Sequence, residues 1–203
     1  MSEPLAMYEG RTLPWRTLEV AVLKLQRRID KASCARDVRR VHRLQRLLMK
    51  SRAAKLLAVR RVTQDNQGKH TAGIDGVKSL TPPQRLGLAE RLGKLPTGSP
   101  TRRVWIPKPG KAERRPLGIP TLHDRALQAL VKLAMAPEWE AKFEPNSYGF
   151  RPGRSGHDAL GAIFMAIGKQ PKYVLDADIG SCTCSLRINT TDSPVDCHKS
   201  KKA

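Results

Sequence analysis

Apolar residues return at helical spacing twice near the start of the chain. Leu18, Val22, Leu25 and Ile29 form one set, and Val38, Val41, Leu44 and Leu48 form a second after a break near Ser33. That spacing predicts two amphipathic helices. Thr81-Pro82-Pro83-Gln84 opens another, with Thr81 as cap, proline in the first turn and Gln84 closing a capping box, and its pattern runs to about Leu95. Two β-prone runs, Val104–Ile106 and Leu117–Ile119, flank Pro109-Gly110 and predict a hairpin with a long loop. Thr121 to Asp124 caps a helix whose Leu127, Leu130, Val131 and Ala134 form a stripe expected to lie under that hairpin, and Pro137 is expected to end or kink it. Ser155 to Asp158 caps the next, with Leu160, Ile163, Phe164 and Ile167 expected to face a core. Tyr173–Ile179 reads as a strand. Helices interspersed with short strands predict an α+β chain.

Charge changes the picture more than any other bulk property. The 203 residues carry 38 Lys and Arg against 18 Asp and Glu, a net charge of +20. Such an excess calls for a polyanionic partner, because neutralising phosphates releases condensed counterions. Nucleic acid fits better than membrane, since no apolar run approaches the roughly 20 residues of a spanning helix. The cations are also clustered. Between Leu23 and Arg61 stand fourteen Lys or Arg and only two acids, Asp30 and Asp37. A merely solvated helix face interleaves Glu with Lys, whereas Arg36, Arg39, Arg40, Arg43, Arg46 and Lys50 have no such company. They are expected to contact RNA or DNA.

Three further stretches are candidates for chemistry. The polar loop 63–80 contains Gly68, Gly73 and Gly76, and glycine lets backbone N–H groups come close to phosphate; a plain surface loop has the same composition. Tyr148-Gly149-Phe150-Arg151-Pro152-Gly153-Arg154 places two aromatic rings beside two guanidinium groups, a combination suited to stacking on bases and binding phosphate. Asp176 and Asp178 share one face of their strand by period-two alternation and together can hold a divalent cation, although exposed carboxylates of this kind are usually only solvated. Cys182, Cys184, Cys197 and His198 could supply four zinc ligands, but their spacing is unusual and no hydrophobic pattern surrounds them, so a disordered tail is expected instead. Few cysteines and no apolar leader favour a reducing, cytoplasmic setting.

Several of these stretches, in this order, resemble a group II intron-encoded reverse transcriptase/maturase over roughly Leu13 to Ile179. The resemblance is carried by Leu13-Pro14-Trp15, Arg60–Lys69, Thr71-Ala72-Gly73-Ile74-Asp75-Gly76-Val77, Arg115-Pro116-Leu117-Gly118-Ile119-Pro120, Asp124–Gln128, Tyr148–Ser155 and Asp176-Ala177-Asp178-Ile179. It implies a basic helical N-terminal region at 1–62, partial fingers and the start of the palm at 63–179, and a divergent tail at 180–203. It also implies roles. Arg103, Lys108 and Arg115 would bind the nucleotide triphosphate, and Lys69, Gly73, Arg151 and Arg154 would lie along the template. Arg36, Arg39, Arg40, Arg43 and Arg46 would hold intron RNA. Asp178 would be the catalytic aspartate, with Asp178 and the Ile179 carbonyl as Mg²⁺ ligands. Partners would be intron RNA, an RNA template with its DNA primer, and dNTP.

The departure from the family begins after Ile179. Thr183 and Cys184 stand where Phe and Asp follow the cysteine in the family, and no Asp-Asp pair occurs in the 203 residues. The abrupt change of character is read as a frameshifted or truncated frame. The chain is therefore expected to keep RNA binding without polymerisation, and the strand at Tyr173–Ile179 is expected to lack its sheet partners. The alternative is a stand-alone basic RNA-binding module with no enzymatic role.

Overall fold

A computed structural model describes residues 13–93, 99–110, 112–168, 173, 175–179 and 186–190. Contacts divide the chain into two units, Met1–Phe143 and Glu144–Ala203.

The first unit contains α1 (Trp15–Cys34), α2 (Val38–Lys50), α3 (Arg52–Arg60), α4 (Pro82–Arg91), a hairpin of β1 (Arg102–Pro107) and β2 (Arg114–Ile119), and α5 (Leu122–Glu140). A π-helical turn, Arg61–Asp65, and a 3₁₀ turn, Gln67–His70, follow α3. The predicted apolar spacing is what the core uses. Val22 and Ile29 of α1, Val41, Leu44 and Leu48 of α2, Ala54, Leu56, Ala58 and Val59 of α3, Leu88 of α4 and Ala126, Leu130 and Ala134 of α5 are buried in one cluster. Ile29, Leu48 and Leu130 are fully buried, and each such side chain contributes about 1.5–3 kcal/mol relative to exposure. The small alanines of α3 let it approach its neighbours closely.

The expected stripe of α5 is corrected here, and of the two outcomes expected at Pro137 the helix end does not occur. Its buried stripe is Leu122, Ala126, Leu130 and Ala134, and the helix packs against α1, α2 and α3 rather than under the hairpin. The helix also runs through Pro137 to Glu140. Proline there leaves the Leu133 carbonyl without its intrahelical donor, and the Gln26 side-chain amide of α1 donates to that oxygen at 2.9 Å. Helix ends follow the predicted caps. Gln84 Oε1 accepts from the Thr81 N–H at 2.9 Å, and Thr121 Oγ1 accepts from the Asp124 N–H at 3.2 Å.

The second unit contains α6 (Gly156–Ile167) and an antiparallel pair, β3 (Leu175–Ile179) with β4 (Leu186–Thr190). Ser155 and Asp158 close a reciprocal cap on α6, with bonds of 2.8 and 3.3 Å. The capped carboxyl of Asp158 is held below the usual aspartate range by the Ser155 hydroxyl and N–H. None of the α6 residues is buried, so the expected core behind Leu160, Ile163 and Phe164 is not present among the described residues. The strand expected to stand alone has a partner. β4 lies within the stretch read as a divergent tail and pairs with it from Leu175↔Thr190 to Ile179↔Leu186. Cys182, Cys184, Cys197 and His198, the zinc candidates, lie outside the described residues.

Candidate nucleic-acid interface

The turn into α2 is a Schellman motif. The Asp37 N–H donates to the Ala32 carbonyl at 3.0 Å and the Arg36 N–H to Ser33 at 2.9 Å. The pivot of this motif is usually glycine, but here Arg36 occupies it with φ +56°. Asp37 then caps α2, accepting from the Arg40 N–H at 3.0 Å. Because Val41, Leu44 and Leu48 point inward, Arg36, Arg39, Arg40, Arg43, Arg46 and Lys50 are all exposed, as the helical period requires. Among the described residues none of the six forms an ion pair. Arg46 Nε donates to the His42 carbonyl of its own helix.

The hairpin pairs Arg102↔Ile119 through Pro107↔Arg114, and a four-residue loop, 109–112, joins the strands beyond the Lys108 N–H to Glu113 carbonyl bond of 3.0 Å. Opposed residues share a face and neighbours alternate. One face therefore carries Arg102, Val104, Ile106, Arg115, Leu117 and Ile119, and Lys108 and Glu113 continue it. The other carries Arg103, Trp105, Pro107, Arg114, Pro116 and Gly118. Of the three cations grouped in the sequence, Lys108 and Arg115 come together and Arg103 does not. Lys108 Nζ lies 2.7 Å from Glu113 Oε2, and this bond with its charge attraction holds the Glu113 carboxyl below the usual range. Both groups are substantially exposed, so this cation is held by a pair that a phosphate can displace.

The glycine loop is fixed to α5. Arg125 donates to the Gly68 carbonyl at 3.0 Å and to the Thr71 carbonyl at 2.5 Å. Lys69 Nζ donates to Gln64 at 2.9 Å. A Cβ on Gly73 would sit 2.8 Å from Thr121 Cα and 2.9 Å from the Pro120 carbonyl oxygen. This glycine therefore admits the chain's own backbone. The part that Arg125 plays in holding this loop is not legible in the sequence. Arg125 lay in a recognised block, but its partners stand 57 and 54 residues away.

In the second unit Arg151 donates to the Glu144 and Ser147 carbonyls at 2.9 and 2.8 Å, bracing its own loop. Arg154 lies over the Tyr148 ring, 5.5 Å from its centroid. Phe150 is fully exposed at φ +58°, a strained setting for an aromatic residue. On β3, Asp176 stands opposite Asn189, Asp178 opposite Arg187 and Ile179 opposite Leu186.

Known proteins match this arrangement along nearly its whole length. The N-terminal domain of reverse transcriptase matches residues 11–92, and the reverse transcriptase (RNA-dependent DNA polymerase) family matches residues 106–202. Maturase-like protein 1 of Euglena gracilis is 34% identical over 68% of the chain and 30% of that protein. The group II intron-encoded protein LtrA of Lactococcus lactis subsp. cremoris is 40% identical over 41% of the chain and 14% of LtrA. The chain belongs to the group II intron reverse transcriptase/maturase family. Protein YkfC of Escherichia coli K12 is 34% identical over 79% of the chain and 44% of its own length. The chain thus spans less than half the length of these relatives.

Reverse transcriptases of this family typically use a divalent metal. Two Mg²⁺ ions about 4 Å apart need several oxygen ligands in near-octahedral order. The positions around Asp178 supply one further acid, an amide and an arginine, and among the described residues no three His, Cys, Asp or Glu gather. Of the family's metal ligands, the register thus settles only the strand position of Asp178 and its neighbours.

Proposed function

We propose that this chain is a nucleic-acid-binding segment of a group II intron reverse transcriptase, which holds intron RNA through α2 and does not polymerise as the 203-residue chain alone. The observation that carries the reading is the bare arginine face of α2, four guanidinium groups from Arg39, Arg40, Arg43 and Arg46 with no acid paired to them among the described residues. The face lies along one helix, and its cations are suited to the phosphates of structured RNA. Lys108 and Arg115, on one face of the hairpin, hold nucleotide phosphates, exchanging Glu113 for ligand. Arg154 and Tyr148 meet the template strand. Asp178 is the one position that matches the catalytic aspartate, and Asp178 and Ile179 are the only metal ligands that the family pattern assigns here. Among the described residues no helix is long and apolar enough to cross a membrane, and we place the chain with its RNA in the cytoplasm.

The test is a salt-dependent titration of the purified chain with group II intron RNA. Replacing Arg39, Arg40, Arg43 and Arg46 together by Gln should weaken binding and flatten the slope of log affinity against log salt by about 3.6. An unchanged slope overturns the reading. Primer extension on an RNA template with Mg²⁺ should give no product, and extension by the chain alone would refute the loss of polymerisation.

A further inference from the structure

The face of the hairpin that turns away from Lys108 and Arg115 is built differently from the one they occupy. Trp105 stands at its centre, 54% exposed. Arg103 precedes it by one step of that face, and Arg114 lies diagonally beyond it, opposite Pro107. Both arginines are exposed. The cross-strand neighbour of Trp105 is Pro116 and that of Arg103 is Gly118, so no bulky side chain stands directly across from either. Thr101 Oγ1 fills the space over Gly118, 2.9 Å from where a Cβ would be, and adds a hydroxyl at the rim. The face carries no acid, because Glu113 belongs to the other side.

We propose that this second face, Arg103–Trp105–Arg114 with Thr101 at its edge, is a binding platform for single-stranded nucleic acid, distinct from the phosphate-holding face. An exposed indole between two guanidinium groups offers a ring on which an unpaired base stacks and cations for the phosphates on either side. Arg103 and Arg114 are separated by about four residues of strand, roughly 13 Å, which leaves the indole accessible between them. Paired bases present no free face to an indole, so duplexes are not its ligand. One tryptophan gives too little apolar area for a membrane or a hydrophobic protein partner, and the net charge of +20 repels cationic surfaces. The proposal does not depend on α2, which lacks aromatic residues. The two arms of the following experiment separate them.

The intact chain is titrated with a single-stranded RNA homopolymer and, separately, with an RNA duplex of equal length. Trp105→Leu keeps apolar bulk but removes the aromatic ring, and Trp105→Phe keeps a ring. We expect Trp105→Leu to weaken the single strand about tenfold or more while leaving the duplex within twofold, and Trp105→Phe to retain most of the single-strand affinity. Because the residue is exposed, both variants should give the circular dichroism of the parent chain. Equal single-strand affinity for the Leu variant and the parent overturns the platform. So does an equal loss on duplex and single strand, which would mark a general change of the surface. Loss of duplex binding through the α2 substitutions, with single-strand stacking intact, would leave the platform standing.

Discussion

The Gln26 side-chain amide donates to the Leu133 carbonyl, and that oxygen is the one Pro137 deprives of an N–H. A side chain 107 residues away thus completes a helix that its own sequence interrupts. Replacing Gln26 by Leu should cost about 1 kcal/mol, since a partly buried acceptor loses its donor. Pro137→Ala should remove most of that cost by restoring the intrahelical bond. Urea unfolding of the four members of this double-mutant cycle measures the coupling, and additivity would refute it.

Glu138 joins three elements of the same unit. Its carboxylate pairs with Lys142 and accepts from Gln45 of α2 at 2.6 Å, while its carbonyl accepts from Ser33 Oγ of α1 at 3.2 Å. The bond from Lys142, opposed by burial and aided by Gln45, holds the carboxyl below its ordinary 4.5. A depressed carboxyl pKa stabilises the fold above the unfolded value, and that stability disappears as pH falls through the folded value. Glu138→Gln should therefore be less stable than the parent at pH 7, by about 1–3 kcal/mol, with the gap closing as acidification takes the carboxyl through its lowered folded-state pKa. A gap that stayed constant with pH would contradict this assignment.

Arg36 occupies a left-handed position that glycine takes at lower cost. Arg36→Gly should raise stability by about 1 kcal/mol, since the Cβ penalty is removed. The same change should reduce the salt slope for intron RNA by about 0.9 if the guanidinium contacts phosphate. A stabilised variant with undiminished RNA binding would assign the residue to the turn alone.

Gly73→Ala places a methyl group against the backbone of Pro120 and Thr121, where nothing flexible can give way. It should destabilise by about 1–3 kcal/mol and free the loop that Arg125 holds. Limited proteolysis should then cut within 66–76 faster than in the parent chain. Resistance equal to the parent would show that the loop tolerates the added group.

Much of the fold was legible because its signals are local. The apolar spacing of α1 and α2 and the caps at Thr81, Thr121 and Ser155 each act within one or two turns, and the bare arginine face follows from the same period. Legibility ended where distant parts of the chain decide. That α5 runs on through Pro137 goes with a donor from Gln26, and the close approach at Gly73 goes with the backbone of Thr121, both far along the chain. Of the α5 stripe only Leu130 and Ala134 were legible, and three helices are the surface it covers. Arg103 was grouped with Lys108 and Arg115 by proximity along the chain, whereas strand pairing sorts them by parity. Leu160, Ile163 and Phe164 have core-like spacing with no core against them among the described residues, a case in which pattern alone misleads.

The pairing register of β1 with β2, and not the length of the loop between them, decides which cations share a face. A one-residue slip of β2 along β1 would turn it over, exchanging Arg115 for Arg114 on both faces in one step, whereas a slip of two restores the parity. The hairpin is therefore a two-position selector, and any loop that leaves Trp105 opposite Pro116 leaves both ligand faces as they are.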